Sequence, residues 1–183
     1  DDAETLAIIA AGQVKLLRHG AEGRDVLLRM AGPGDLIGTF SALNSSHPES
    51  AQAHTDVCLL NITAGDFADL LRTHPEVTLA VLAFSTEQLT EARTAIRGLS
   101  TEPVETRLAR TLLQLADAHG EPDPGGTVIQ MPLPQQDLAA LAGTTVETVS
   151  RILSRFRRDG LTDSGRRWVA LRDRSALERL LND

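Results

Sequence analysis

Tyrosine is absent from this 183-residue chain, and tryptophan and cysteine occur once each. A single thiol, Cys58, cannot close an internal disulfide or hold a four-cysteine cluster. Long apolar runs are also missing: stretches such as Leu79–Phe84 span only a few residues, far short of the ~20 a helix needs to cross a bilayer. No membrane partner is expected. Asp1, Asp2 and Glu4 stand where a secretory signal needs positive charge, which together with the lone thiol points to a reducing cytoplasm. Positive charge is scarce overall, with 18 Lys and Arg against 25 Asp and Glu and a net charge of −7. What remains is ordinary for a folded chain: 42% hydrophobic and 23% charged residues, enough for one compact domain or two small ones.

The charge deficit is uneven. Residues 1–100 carry 7 Arg and Lys against 13 Asp and Glu, a net of −6, and residues 101–183 carry 11 against 12, a net of −1. Within Thr145–Arg172 seven arginines (Arg151, Arg155, Arg157, Arg158, Arg166, Arg167 and Arg172) face only Glu147, Asp159 and Asp163, leaving +4. A basic window on an acidic chain suits a DNA-binding module, since only the docking face must meet phosphate; a solvated helix face has the same composition.

Residues up to 63 read as short strands broken by turns. Ala7–Leu17 alternates around Gly12, Val26–Met30 follows the turn 19–23, and that pair predicts a hairpin. Pro33-Gly34-Asp35 is another turn, Leu36–Phe40 a strand, Asn44–Glu49 a polar loop and Ala51–Ile62 a further strand, which together predict a small sandwich or barrel. The strand pattern is already running at the first residues, so N-terminal strands are expected to be missing. A short helix carries Phe67, Leu70 and Leu71 on one face. Glu76–Leu99 then has no glycine or proline before Gly98, and Leu82, Leu89 and Ile96 recur every seven residues. That narrow stripe predicts a helix that pairs with a second copy of itself, a homodimer; packing on its own sheet is the alternative. Gly98–Thr101 reads as a hinge. Beyond it come a helix at Pro103–His119, a Pro- and Gly-rich loop at Glu121–Gly126, a strand at Thr127–Leu133, helices at Gln135–Ala142 and Thr145–Asp159, and a hairpin at Leu161–Leu171, the order of a winged helix-turn-helix.

Gln135 through Leu153 is the most specific segment. A helix-turn-helix needs a small residue where its helices cross, a glycine at the turn and apolar residues that hold the second helix, and Ala139, Gly143, Val149 and Ile152 occupy those places, with Leu138 and Ala142 beside them. Thr144 or Thr145 can cap the second helix, and Thr144 with Glu147 has capping-box spacing. Val146, Glu147, Ser150 and Arg151 point outward, where Glu accepts from cytosine N4 and Arg pairs bidentately with guanine.

At these residues the chain resembles the CRP/FNR family of bacterial transcription regulators. Gly12-Gln13-Val14-Lys15-Leu16, Pro33-Gly34-Asp35-Leu36-Ile37-Gly38, the long helix and the C-terminal segment occur in the family's order. The resemblance implies an α+β fold: an N-terminal β-roll of the cyclic-nucleotide-binding jelly-roll type over 1–74, a dimerisation helix and hinge over 75–100 and a winged helix-turn-helix over 101–183. It implies double-stranded DNA, RNA polymerase and a second copy as partners, no cofactor and no catalysis. Glu147-Thr148-Val149-Ser150-Arg151 is similar to the FNR branch, whose Glu, Ser and Arg contact bases of TTGAT half-sites; those roles fall on Glu147, Ser150 and Arg151. Gln135, Thr145 and Thr148 match phosphate-contacting positions, and Arg157 and Arg158 lie beyond the base-reading turn as further phosphate candidates.

The sensor half departs from the family. Where cyclic-AMP-binding members have a Glu after the glycine matching Gly38 and an Arg before the serine matching Ser50, this chain has Thr39 and Glu49. A carboxylate at Glu49 repels a cyclic phosphate, so cyclic AMP is not expected to bind. Cys58 falls two residues from the position of the family's fourth cluster ligand, matched by Leu60, and reads as a buried core residue. His47 and His54 leave open a second reading, a ligand- or haem-dependent gas sensor of the same fold whose DNA binding requires that ligand. Ser50, His54 and Asp56 supply the residue types of a hydrolase triad but lack a nucleophile elbow. Trp168 reads as an apolar anchor for the wing.

Overall fold

Period-2 alternation in the first residues places Ala7 and Ile9 of β1 (Thr5–Ala11) on one face, where both are buried. The computed structural model describes residues 5–19, 25–38 and 49–182. It forms two compact units that divide between Ile96 and Arg97. In the first, β1 lies between β4 (Leu36–Ile37) and β6 (Cys58–Thr63), and β2 (Val14–His19) lies between β3 (Asp25–Ala31) and β5 (Ser50–Ala53), every pairing antiparallel. Ala7, Ile9, Val14, Leu16, Ala31 and Ile37 close a common core flanked by Val57, the two-sheet arrangement of a β-roll. The tight turn at Pro33 has Asp35 N–H donating to the Gly32 carbonyl over 3.0 Å, and Gly34 takes φ +91°, the left-handed conformation this turn demands.

Two strand expectations change. Ala51–Ile62 is not one strand: it passes from the β2 sheet to the β1 sheet through residues 54–57. Gln13, which makes the matching crossing from β1 to β2, anchors this point, its carbonyl accepting from His54 N over 2.8 Å and its N–H donating to Thr55 Oγ1 over 2.9 Å. Cys58 is exposed, not buried, because β6 is an edge strand and the core is filled from β1, β2, β3 and β4. The turn residues 20–23, Thr39, Phe40, the loop from Asn44 and His47 lie outside the described residues.

Thr63 caps α1 (Ala64–Thr73), its hydroxyl accepting from Asp66 N–H over 3.1 Å, and Phe67 is buried where α1 packs on β1 and β6. α2 (Pro75–Thr101) starts on a proline, whose missing N–H costs nothing in a first turn. It has two faces. Val77, Val81, Phe84, Gln88 and Glu91 are half-buried, whereas Leu82, Leu89 and Ile96 are exposed. On the inner face the Arg29 guanidinium lies 5.7 Å from the centre of the Phe84 ring and bonds Asp35 Oδ2 at 2.7 Å. The helix runs without a break through Gly98, just past the division between the two units. It continues to Thr101, and Gly98 is buried because the Glu102 carboxylate lies over it, 2.9 Å from where a Cβ would stand.

In the second unit, α3 (Val104–His119) buries Leu108, Leu112 and Leu115. The segment expected as a loop at Glu121–Gly126 is a strand and turn: β7 (Gly120–Asp123) pairs with β8 (Gly126–Ile129), and the sheet runs β7-β8-β10-β9 with β9 (Thr162–Gly165) and β10 (Trp168–Leu171) as the wing. Pro122 is tolerated because β7 is an edge, and Asp123 is held by Arg172 Nη1 at 2.6 Å. After α4 (Gln135–Leu141) and α5 (Val146–Arg158) comes an unexpected short helix, α6 (Arg174–Arg179). Asp173 caps it by accepting from Ala176 N–H at 2.9 Å, and Arg174 bonds Asp117 and Glu178, which raise its pKa.

Burial raises the pKa of Glu91 above 4.5; Arg29 opposes this, and Glu87 and Asp35 add to it. The folded state therefore holds the Glu91 proton more tightly than the unfolded state, so the unfavourable charge is fully present at neutral pH and fades as pH falls toward 4.5. We expect Glu91→Gln to raise the thermal midpoint at pH 7 and to lose that advantage near pH 4, as followed by circular dichroism.

Candidate nucleic-acid interface

Leu138, Ala139 and Ala142 of the α4 region and Val149, Ile152 and Phe156 of α5 are all buried, and α4 packs on both α3 and α5. α4 ends in a Schellman turn: Gly143 N–H donates to the Ala140 carbonyl at 3.2 Å, Thr144 N–H to that of Ala139 at 2.9 Å, and Gly143 takes φ +61°. The positive φ demands glycine here, and the Leu99 side chain rests over it, its Cδ2 2.3 Å from where a Cβ would stand.

Thr145, not Thr144, caps α5, its hydroxyl accepting from Thr148 N–H at 3.3 Å and donating to Thr148 Oγ1 at 3.2 Å. The Thr144–Glu147 capping box is therefore absent, because the helix begins one residue later and puts Glu147 second in its first turn. The Glu147 carboxyl lies below 4.5 through its own backbone N–H and then Thr145, so the exposed group is anionic at neutral pH.

With Val149, Ile152 and Phe156 turned inward, Glu147, Ser150, Arg151, Ser154 and Arg158 share the outer face of α5 at helical spacing. Glu147 and Arg151 are exposed, and Ser150 is half-buried. Among the described residues no carboxylate pairs with Arg151, Arg158, Arg166 or Arg167. The other three arginines of the basic window are engaged. Arg155 pairs with Glu105, Arg172 with Asp123, and Arg157 bonds the Ser164 carbonyl at 3.1 Å with Asp163 at 3.6 Å, joining α5 to the wing. Gln135 is exposed at the start of α4, so Gln135, Thr145 and Thr148 sit in the first turns of the two helices and Arg157 and Arg158 in the last turn of α5. Trp168 is half-buried against Gly165.

Elsewhere, Leu82, Leu89 and Ile96 form an uncovered stripe on α2, exposed by 61%, 51% and 66%. Ser50 does not meet His54 and Asp56 in a triad. It contacts His19 Nε2 at 3.1 Å, and His19 Nδ1 lies 2.5 Å from Asp25, a hydrogen-bond chain tying the ends of β2, β3 and β5. One residue carried no sequence signal. Arg107, an ordinary arginine on α3 by pattern, donates from Nε to the Ala142 carbonyl at 2.9 Å, from Nη2 to that of Gly143 at 3.0 Å and from Nη1 to that of Glu102 at 2.9 Å.

Comparison with known proteins places this geometry. The family profile of the Crp-like helix-turn-helix domain matches residues 106–180, and that of the cyclic nucleotide-binding domain matches residues 1–74. The chain is 33% identical over 181 residues to a cyclic AMP receptor protein of Thermus thermophilus, covering 98% of this chain and 81% of that relative. It is 30% identical to the nitrogen fixation regulation protein FixK of Azorhizobium caulinodans, covering 97% and 72%. Among solved structures, FixK2 of Bradyrhizobium japonicum superposes with a TM-score of 0.84 at 25% identity, covering 98% of this chain and 88% of that one.

Removing the α5 cap in Thr145→Ala should cost about 1 kcal/mol and lower the thermal midpoint by roughly 4 °C. The same change takes away the Thr145 hydroxyl, the second of the two influences that lower the Glu147 carboxyl, so its NMR titration midpoint should move up toward 4.5.

Proposed function

The chain belongs to the CRP/FNR family of DNA-binding transcription regulators, not enzymes, and from that premise we propose that it acts as a homodimer reading a palindromic site through α5. The observation that carries this reading is the outer face of α5: Glu147, Ser150 and Arg151 lie together at the start of a helix whose other face is sealed in the core. A recognition helix reads base edges from its N-terminal residues while its partners hold the backbone. Arg151, with no carboxylate partner among the described residues, keeps its fork for guanine O6 and N7, and Glu147, held anionic, suits cytosine N4. Gln135, Thr145 and Thr148 reach phosphate from the first turns of α4 and α5, and Arg158 does so from the last. Arg157 is already bonded to Ser164, so we assign it to seating the wing before any phosphate contact.

The uncovered stripe of Leu82, Leu89 and Ile96 supports pairing of α2 with a second copy. A two-fold dimer would set its recognition helices one DNA turn apart, on TTGAT-like half-sites centred ~10 base pairs apart. RNA polymerase is the further partner. Glu49 argues that the effector is not cyclic AMP, whatever other members bind, because a carboxylate beside Ser50 repels a cyclic phosphate.

Binding of Arg151→Ala and Glu147→Ala should be measured against every single-base variant of the half-site. We expect Arg151→Ala to lose ~1–3 kcal/mol and its preference at one guanine, and Glu147→Ala to keep most affinity while broadening specificity. Unchanged preferences in both would remove α5 as the reader. In sedimentation the parent should be dimeric at micromolar concentration and Leu89→Asp monomeric. Calorimetric titration with cyclic AMP should show no micromolar binding.

A further inference from the structure

The turn that aims α5 is fastened from outside its own helices. Arg107 places one guanidinium against three main-chain carbonyls: Ala142 and Gly143 at the C-terminal end of α4, and Glu102 just after the end of α2. A planar fork with five donors can serve three acceptors at once, and the carbonyls at a helix C-terminus carry the negative end of its dipole. Beside it Leu99, in the last turn of α2, occupies the space a side chain at Gly143 would fill. Glu102 is fixed in turn, its carboxylate bonded by Arg110 at 2.7 Å and paired with Arg97 at 3.7 Å. Every carbonyl Arg107 holds thus belongs either to the helix-turn-helix turn or to the residue where α2 stops.

We propose that Arg107 is a positioning residue for DNA readout: with Leu99 seated on Gly143, it sets the pose of α5 from the end of α2. Any rotation or unwinding of the last turn of α2 shifts the Glu102 carbonyl and Leu99 together, and the clasp carries that shift to the turn before α5. Arg107 itself touches no base. This assignment rests on the DNA-binding reading, so its test has one arm without DNA.

In the full chain without DNA, hydrogen exchange at the Gly143 and Thr144 amides, bonded to Ala140 and Ala139, should quicken in Arg107→Gln relative to the amides of Val149 and Ile152. Unchanged exchange would overturn the clasp whether or not the protein binds DNA. With DNA, the ratio of specific to non-specific affinity should fall about tenfold, the loss expected for one charge-assisted hydrogen-bond group, while the salt dependence set by phosphate contacts stays the same. Arg107→Lys, which keeps the charge but not the fork, should not restore the ratio. A purely structural role would lower the thermal midpoint and leave the ratio of the folded protein unaltered, and that result also overturns the proposal. If Arg107→Gln does not fold, the seating contact decides: Leu99→Ala alone should quicken exchange at the Gly143 and Thr144 amides and lower the ratio. Unchanged exchange and an unchanged ratio in Leu99→Ala would show that the last turn of α2 does not set the turn. Loss of specific binding in the parent itself, with the exchange result intact, would strike the DNA reading and spare the clasp.

Discussion

The C-terminal unit depends on how α4, α5 and α3 share one apolar core. Leu108 and Leu112 from α3, Leu138 and Ala139 from α4, Val149, Ile152 and Phe156 from α5, Ile129 from β8 and Leu171 from β10 are all nearly inaccessible to water. At ~25 cal/mol per Å² of apolar surface removed from water, side chains of this size contribute on the order of 2 kcal/mol each before the entropy of ordering them is subtracted. That burial fixes which face of α5 is left outside. The polar chemistry of the unit follows from it: every charged group on α5 lies on the remaining surface, and the cap at Thr145 and the turn at Gly143 only define where that surface begins.

A chain with net charge −7 can still present a cationic face because its carboxylates are spent selectively. Glu105, Asp123 and Asp163 neutralise Arg155, Arg172 and Arg157, the arginines that bind α5, α3, the β7–β8 hairpin and the wing to one another. Arg151, Arg158, Arg166 and Arg167 are left unpaired among the described residues. Composition counted seven equivalent arginines; the fold divides them into those that hold the frame and those that face solvent. Such ion pairs at the surface are individually weak, so their value here lies in orientation more than in stability.

How much was legible in the sequence follows from whether a feature is local. Periodicity located α1, α2, α3, α4 and α5 to within a few residues, and the small residues at Ala139 and Gly143 identified the helix-turn-helix, because these features are written in consecutive positions. The errors arose where partners distant in sequence decide. Gln13 divides the strand expected at Ala51–Ile62, an edge position exposes Cys58, and cross-strand pairing with β8 turns a Pro- and Gly-rich segment into β7. Gly98 illustrates the same limit: its pattern says nothing of the Glu102 carboxylate, which lies where its Cβ would stand. Arg107 could not have been singled out at all, since its three acceptors are main-chain atoms with no residue type to betray them. The choice of Thr145 over Thr144 as the cap was open for a smaller reason, as two adjacent threonines offer the same chemistry and only backbone geometry chooses between them.

Trp168 stands in the wing, its indole packed against Gly165, in a chain with no tyrosine. The molecule's near-ultraviolet emission therefore comes from one address. Light absorbed at the red edge reports the polarity around a single hairpin, undiluted by other fluorophores, and the protein carries its own label at the border of the surface where nucleic acid would approach.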